Sequence, residues 1–164
     1  MAKDQVYTGA DIEDLDDRDH VRIRTQIYLG SMHPTTFRIP LLTSNQLEVR
    51  DVEFIPSAYK AINEVIDNSL DEFTQISIRN KTLKLEATPE YGKYTVIDNG
   101  RGIPIEQKND RHGKLTWVPE LVLSRLRSGR NFKDEKESGV IGQNGVGAAC
   151  TNFCSTEFEV RVLS

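Results

Sequence analysis

The chain contains few of the residues that build disulfide frameworks and metal centres. Its 164 residues include two cysteines, three histidines and one tryptophan. Cys150 and Cys154 lie in an apolar stretch, and none of the histidines stands at a zinc-ligand spacing from them. The sequence therefore gives no basis for a zinc site or a disulfide framework. It predicts that both cysteines are reduced, buried packing residues.

Long hydrophobic runs and an excess of positive charge are also absent. No apolar segment is long enough to cross a membrane, and the first residues do not resemble a signal peptide. We therefore expect no membrane partner and an intracellular location. The net charge of -4 argues against a dedicated nucleic-acid-binding module, although the DNA contacts of a larger enzyme could lie elsewhere.

The composition that remains is typical of one globular domain, with 37% hydrophobic and 28% charged residues. Acidic side chains are concentrated near the start, so residues 1–20 are predicted to form a flexible acidic N-terminal arm and residues 21–164 the folded domain. Pro34 and Pro40 favour loop or edge structure over residues 32–51.

Hydrophobic periodicity predicts both helices and antiparallel strands. Apolar residues recur at helical spacing after Pro56, which suits a first helical turn, and further helices are predicted over residues 118–127 and from Val146. Alternating patterns predict strands over residues 75–79, 82–86, 93–97 and 157–163. This order indicates an α+β fold: a two-layer α/β sandwich with a mainly antiparallel mixed sheet and helices on one face.

The first predicted helix carries polar side chains on the face opposite its apolar stripe: Glu64, Asn68, Asp71 and Glu72. A solvated helix face is one interpretation. The other is a catalytic site in which Glu64 activates a water molecule and Asn68 offers its amide oxygen to Mg²⁺. That cation needs only one or two protein oxygens, and a base one turn away reaches the same site.

A second polar motif, Asp98-Asn99-Gly100-Arg101-Gly102, follows an apolar strand pattern. Such residues commonly end a strand in a turn. Alternatively, Asp98 accepts a hydrogen bond from an adenine amino group, while the glycines let the backbone approach the base closely. A turn alone does not account for the arginine between two glycines.

A glycine-rich motif, Gly142-x-x-Gly145-x-Gly147, leads into the last predicted helix. Backbone N–H groups at a helix start, together with the helix dipole, favour phosphate. The spacing is the reverse of the dinucleotide-binding G-x-G-x-x-G, and the chain has no G-x-x-x-x-G-K-[ST] motif. The three motifs together predict an ATP site that is not a P-loop.

With their flanking residues, the motifs resemble the three nucleotide-binding boxes of the GHKL, or Bergerat-fold, ATPases. The resemblance is carried by AINEVIDNSLDEF, VIDNGRGIP and GQNGVGAACTNFCSTEFEV. This superfamily includes gyrases, heat-shock chaperones, histidine kinases and mismatch-repair proteins. The intervening segments IYLGSMHP and VPELVLSRLRSGRNFKDEKESG are similar to type IIA DNA topoisomerases, and to the phage and eukaryotic branch more than to bacterial gyrase.

The resemblance implies a role for each matching residue. Glu64 would activate the attacking water, Asn68 would hold Mg²⁺ and Asp98 would bind adenine. The base pocket and the segment that contacts ribose and phosphate would be formed by Gly102, Ile103, Pro104, Gly129, Arg130 and Asn131. The triphosphate would be wrapped by Gly142, Gln143, Asn144, Gly145, Val146, Gly147, Ala148 and Ala149.

The implied function is the ATPase gate of a type II DNA topoisomerase. ATP binding would close two copies into a homodimer, and the full enzyme, with its remaining domains or subunits, would pass one DNA duplex through another. The alternatives are a GHKL ATPase of the chaperone or mismatch-repair type and a nucleotide-binding module without catalysis.

Two departures from the family pattern bear on catalysis. Ala149 replaces a lysine of the eukaryotic enzymes. The family's lysine for the γ-phosphate belongs to a following transducer domain, which these 164 residues do not include. We therefore expect a domain truncated before the transducer, which binds ATP and Mg²⁺ but hydrolyses ATP slowly.

Overall fold

The computed structural model describes residues 8–77, 79–129 and 145–163. These residues form five α-helices and six β-strands. The helices are α1 (Asp17–Ile23), α2 (Thr25–Tyr28), α3 (Pro56–Thr74), α4 (Val118–Ser124) and α5 (Gly147–Cys154). The strands are β1 (Thr35–Leu42), β2 (Leu47–Phe54), β3 (Leu83–Thr88), β4 (Lys93–Asp98), β5 (Gln107–Asn109) and β6 (Leu115–Trp117). Helices combined with antiparallel strands confirm the predicted α+β class.

The strands form three antiparallel hairpins, β1 with β2, β3 with β4 and β5 with β6. In the first hairpin the outermost paired residues are Thr35↔Phe54 and Leu42↔Leu47. In the second they are Leu83↔Asp98 and Thr88↔Lys93. In the third they are Gln107↔Trp117 and Asn109↔Leu115. Within the described residues each hairpin is its own two-stranded sheet. The alternation of the sequence predicted antiparallel strands, but it does not specify which hairpins join.

Edge structure, one of the two predictions for residues 32–51, is what forms. Pro40 lies inside the paired register of β1 and β2. It is tolerated because each strand of a two-stranded sheet has an unpaired edge, where a missing N–H costs no ladder hydrogen bond. The rings of Phe37 and Phe54 stack with centroids 4.7 Å apart, and Phe54 lies 5.2 Å from Tyr59 of α3. This aromatic contact attaches the hairpin to α3.

Two of the predicted strands are absent. In residues 75–79, the described positions are not in a strand because α3 continues to Thr74, and the N–H of Gln75 donates to the carbonyl of Glu72 at 3.1 Å. Residues 157–163 also lie outside any strand, and none of the described strands pairs with them. This last segment passes the second motif instead, where Val162 lies against Gly102.

The helix α4 ends at Ser124, three residues before its predicted end. Arg125 is extended, and its Nη1 lies 3.1 Å from Oδ2 of Asp110 in the turn between β5 and β6. The next N–H, of Leu126, donates to the carboxylate of Asp17 at 3.4 Å. Contacts with two other elements thus replace the helical hydrogen bonds that the sequence pattern predicted.

The helix α3 is the longest described helix and carries the first motif. It begins at Pro56, as predicted, because the fixed φ of proline suits the first turn, where its missing N–H is not needed. None of the helices in the described ranges is both long and apolar enough to cross a membrane.

The helix α5 lies at the centre of the hydrophobic core, whose buried members are Val21, Leu29, Leu126, Ala149, Cys150 and Phe153. The helix packs against α1, α3 and α4. Its Thr151 hydroxyl donates to the carbonyl of Ala61 in α3 at 3.1 Å, and the Asn152 amide donates to the carbonyl of Leu123 in α4 at 2.8 Å. These bonds fix the N-terminus of α5 beside α3, where the first and third motifs meet.

The two cysteines have different environments. Cys150 is buried in the core, as predicted, but the prediction was wrong for Cys154, which is exposed at the end of α5. Burial is the largest cause that raises the pKa of the Cys150 thiol, and together with the neighbouring Cys154 and Glu64 it brings that pKa to about 12.

We expect iodoacetamide at about pH 8 to modify Cys154 and to leave Cys150 unmodified in the folded chain, because the thiolate is the reacting form. Intact-mass spectrometry should show one adduct for the native chain, none for Cys154→Ser, and two in concentrated guanidinium. Two adducts formed at similar rates on the native chain would contradict the placement of Cys150.

Candidate functional site

The polar face of α3 is partly buried. Asp71 and Glu72 are only 3% and 8% exposed, Glu64 is half-buried and Asn68 is exposed. A buried carboxylate requires hydrogen-bonding or charged partners. The interpretation of this face as a solvated surface was therefore wrong for its C-terminal half, which points into the structure.

Glu64 lies between Lys60 and the start of α5. The Nζ of Lys60 is 2.6 Å from Oε1 of Glu64. On the other side, a Cβ atom placed on Gly147 would lie 1.7 Å from Oε2 and 2.5 Å from Cδ of Glu64. Only a glycine therefore permits this approach of the α5 backbone. The base predicted from the first motif and the glycine turn predicted from the third are in van der Waals contact.

Asp98, at the end of β4, has an exposed carboxylate with two donors. The Ser69 hydroxyl donates to Oδ2 at 2.7 Å, and the N–H of Gly100 donates to Oδ1 at 2.8 Å. Ser69 is itself buried on α3. The orientation of Asp98 is therefore set by the helix that carries Glu64 as well as by its own turn.

The second motif is tied to α3 by Glu72 and Arg101. The Nε of Arg101 donates to Oε1 of Glu72 at 2.6 Å, Nη2 donates to Oε2 at 3.2 Å, and the Arg101 N–H donates to Oε1 at 3.2 Å. The hydrogen bond to Glu72 raises the pKa of the Arg101 guanidinium. Gly100 fits beneath it, since a Cβ there would lie 2.6 Å from Cγ of Glu72. This arrangement explains an arginine between two glycines.

The residues after Arg101 form the outer part of this turn. Gly102 has φ +73°, a conformation that favours glycine, and a Cβ there would lie 2.7 Å from Cγ1 of Val162. Ile103 is half-buried and Pro104 is exposed. These residues leave a surface beside Asp98 that a planar apolar ring could contact.

The glycine-rich motif is described from Gly145 onward. The N–H of Ser128 donates to the carbonyl of Gly145 at 3.2 Å, which brings Gly129 next to this turn. Val146 and Ala148 are half-buried, and among the described residues no side chain caps the start of α5. N–H groups at a helix start favour an anion. The remaining members of the predicted set, Arg130, Asn131, Gly142, Gln143 and Asn144, lie outside the described residues.

Ala149 faces the core, with 1% of its surface exposed. Its methyl group packs with Val21 and Phe153 in the core cluster. At this position only the backbone N–H can contribute to a phosphate site.

The described residues contain no group of three or more His, Cys, Asp or Glu side chains that could hold a metal ion. Asn68 offers a single exposed amide oxygen one helical turn after Glu64. That donor set fits a Mg²⁺ ion which keeps most of its ligands as water and phosphate oxygens. It does not fit a cation held by the protein alone.

The sequence did not indicate that Lys60 and Ser69 belong to the site. It also did not indicate that Glu72 and Arg101, although both lie in motifs, form an ion pair with each other. The signal for Lys60 was its position one turn before Glu64, where ion pairs form on a helix. Ser69 had no comparable signal, because its bond to Asp98 joins elements that are 29 positions apart.

The chain matches the family model described as "Histidine kinase-, DNA gyrase B-, and HSP90-like ATPase" over residues 55–162. It is 31% identical to DNA topoisomerase 2 top-2 of Caenorhabditis elegans over 150 residues, which is 89% of this chain and 10% of that protein. It is also 31% identical to DNA topoisomerase 2 of Pisum sativum over 143 residues, which is 87% of this chain and 10% of that protein. The chain thus spans about a tenth of the length of these relatives.

Solved structures give the same relationship. The ATPase and transducer domains of DNA topoisomerase II from Balamuthia mandrillaris superpose with a TM-score of 0.74 at 26% identity, covering 86% of this chain and 35% of that one. The ATPase region of Saccharomyces cerevisiae topoisomerase II has a TM-score of 0.74 at 22% identity, covering 88% of this chain and 38% of that one. At 22% identity, the similarity to the Saccharomyces cerevisiae structure shows that this chain has the same fold.

We expect Gly147→Ala to lower the free energy of unfolding by about 1–3 kcal/mol, the usual cost of overpacking, because the added methyl overlaps the Glu64 carboxylate. Urea titration measures this loss. Gly9→Ala is the control, since nothing lies within 4 Å of a Cβ there. In a Glu64→Ala background most of the penalty should disappear. A Gly147→Ala chain as stable as the wild type would show that the two groups are not packed together.

Proposed function

The chain belongs to the family of histidine kinase-, DNA gyrase B- and HSP90-like ATPases, and we propose that it is the ATP-binding and ATP-hydrolysing gate domain of a type II DNA topoisomerase. The observation that carries this proposal is the packing of Glu64 against Gly147, which puts a carboxylate at a turn suited to phosphate. The chaperone or mismatch-repair alternative is less favoured, because the relatives named above are DNA topoisomerases 2.

Adenine is assigned to Asp98. Its carboxylate is exposed and oriented by Ser69 and Gly100, and a carboxylate oxygen accepts more than one hydrogen bond. The adenine amino group can therefore donate to Asp98 without displacing either partner. Gly102, Ile103 and Pro104 are assigned to the wall of the base pocket.

The triphosphate is assigned to the turn that leads into α5. The helix dipole and the N–H groups at this start, which no described side chain caps, favour negative charge. Gly145, Val146, Gly147 and Ala148 support the assignment by their position in the structure. The assignment of Gly129, Arg130, Asn131, Ala149 and residues 142–144 comes from the resemblance of the sequence.

Mg²⁺ is assigned to the amide oxygen of Asn68. When bound together with ATP, the ion would neutralise part of the phosphate charge. Asn68 lies one turn from Glu64 on α3, so the same helix would orient the metal ligand and the base.

In the hydrolysis step, Glu64 accepts a proton from water as the water oxygen attacks the γ-phosphorus. The bond from that phosphorus to the bridging oxygen breaks, and ADP leaves with the electron pair. Catalysis of phosphoryl transfer depends mainly on positioning and charge stabilisation. The γ-phosphate lysine implied by the family is not among these 164 residues, so we expect slow turnover by the chain alone.

At the level of the full enzyme, ATP binding would bring two copies of this domain together as a homodimer. The remaining topoisomerase domains or subunits would then bind, cleave and transport DNA. This chain would supply the nucleotide-dependent step of duplex passage. The division into an acidic arm over residues 1–20 and a folded domain over residues 21–164 stays a prediction, and helix α1 crosses it because it begins at Asp17.

We expect a non-hydrolysable ATP analogue to bind the wild-type chain in the presence of Mg²⁺, and to bind Asn68→Ala and Asp98→Ala at least about tenfold more weakly. The loss of a hydrogen bond to a charged group has this size. Isothermal titration calorimetry measures the affinities. Removing Mg²⁺ should abolish the difference in affinity between Asn68→Ala and the wild type. Inosine triphosphate lacks the adenine amino group, so its affinity should be the same for Asp98→Ala and the wild type.

Asn45→Ala and Asp51→Ala are the matched controls, because both side chains are exposed on the β1–β2 hairpin. Equal affinity of the wild type and the two site variants would overturn the nucleotide assignment.

We expect the complete enzyme that contains this chain to relax supercoiled plasmid only when ATP is supplied. Glu64→Gln should retain binding of the ATP analogue but lose repeated ATP-dependent relaxation, because the base is needed to reset the gate. Agarose gel electrophoresis of plasmid topoisomers measures the activity. Relaxation that is independent of ATP would contradict the gate function and leave a nucleotide-binding module as the alternative.

A further inference from the structure

We propose that Lys60 is a positioning residue, which holds the Glu64 carboxylate in one orientation toward the phosphate-binding turn. The inference rests on the proposed ATPase function, in which Glu64 is the general base. Lys60 was not among the residues that the sequence motifs selected.

Lys60 and Gly147 together constrain both oxygens of Glu64. The Lys60 ammonium lies 2.6 Å from Oε1, and the α5 backbone at Gly147 packs against Oε2. The terminal torsion of a glutamate is otherwise broad. A general base must lie within hydrogen-bond distance of the water it activates, so a contact that selects one carboxylate orientation acts on the reaction directly.

Lys60 is more exposed to solvent than Glu64. The Lys60 side chain is 47% exposed and the Glu64 side chain 19% exposed. The hydrogen bond to Glu64 raises the pKa of Lys60, and the negative charges of Glu64 and Asp67 act in the same direction. Lys60 is therefore a cation that reaches in from the surface to a more enclosed carboxylate.

Helix stabilisation does not explain this pair. An ion pair four residues apart supports a helix best when glutamate precedes lysine, and here lysine precedes glutamate. Partly exposed ion pairs also contribute little to folding. Removing the lysine charge should therefore change stability only slightly, which separates a role in the reaction from a role in folding.

The positive charge of Lys60 would also reduce the repulsion between Glu64 and a bound nucleotide. The phosphates assigned to the α5 turn would approach Glu64 and repel its carboxylate. A cation 2.6 Å from that carboxylate offsets part of the repulsion.

The test compares Lys60→Met, which keeps most of the aliphatic stem, with Lys60→Arg, which keeps the charge. We expect kcat for Mg²⁺-dependent ATP hydrolysis by the 164-residue chain to fall about tenfold in Lys60→Met. This is a part of the roughly 10²–10⁴-fold effect of a positioned base. Affinity for the non-hydrolysable analogue should change less than about twofold, and Lys60→Arg should recover most of kcat.

Lys84→Met is the matched control. Lys84 also forms an exposed ion pair, with Glu86 at 2.5 Å. It lies on the opposite face of the β3–β4 hairpin from Asp98, because Asp98 is paired with the preceding residue, Leu83. This control should leave both kcat and analogue affinity unchanged.

The outcomes separate the two proposals. If the wild type hydrolyses ATP and Glu64→Gln does not, an unchanged or increased kcat in Lys60→Met overturns the role of Lys60 alone. An equal loss in Lys60→Met and Lys60→Arg also overturns it, as does a loss that appears entirely in nucleotide affinity. If the wild type neither binds nor hydrolyses ATP, the ATPase function and the role of Lys60 fail together.

Discussion

The packing of α5 against α3 is the interaction on which the rest of the site depends. Gly147 lies against Glu64 at the start of α5, and one turn later Thr151 donates a hydrogen bond to the carbonyl of Ala61. The opposite face of α5 supplies Ala149, Cys150 and Phe153 to the core. The distance between Glu64 and the glycine turn is therefore set by the hydrophobic core, and it does not rely on surface side chains.

The helix α3 organises the site because its polar residues each meet a partner from a different motif. Glu64 contacts the glycine turn, Ser69 orients Asp98, and Glu72 holds Arg101. These side chains follow one another along the helix, so the helix fixes the spacing between the glycine turn and Asp98. A rigid helix with short connections is well suited to this task, since small displacements of catalytic groups are costly.

Local signals in the sequence predicted the α+β class, the start of α3 at Pro56 and the helix after Val146. Periodicity identifies an element from its own residues, and the motif residues were identified by their spacing. The register between elements is not encoded locally. The hydrogen bond from Ser69 to Asp98 and the burial of Asp71 depend on how distant segments pack. The same limit explains the failed strand at residues 157–163, because a strand also needs a partner edge.

The hydrogen bond between Ser128 and Gly145 has a consequence for how this domain can vary. The bond holds Ser128 and Gly145 next to each other. The two ends of the stretch between them are therefore already joined by the folded part of the chain. The entropic cost of closing a flexible connection rises only with the logarithm of its length, by about 0.6 kcal/mol for each doubling. Insertions or deletions between these two positions should therefore cost the core little. Evolution can then alter the length of this stretch independently of the helices that hold Glu64 and Gly147.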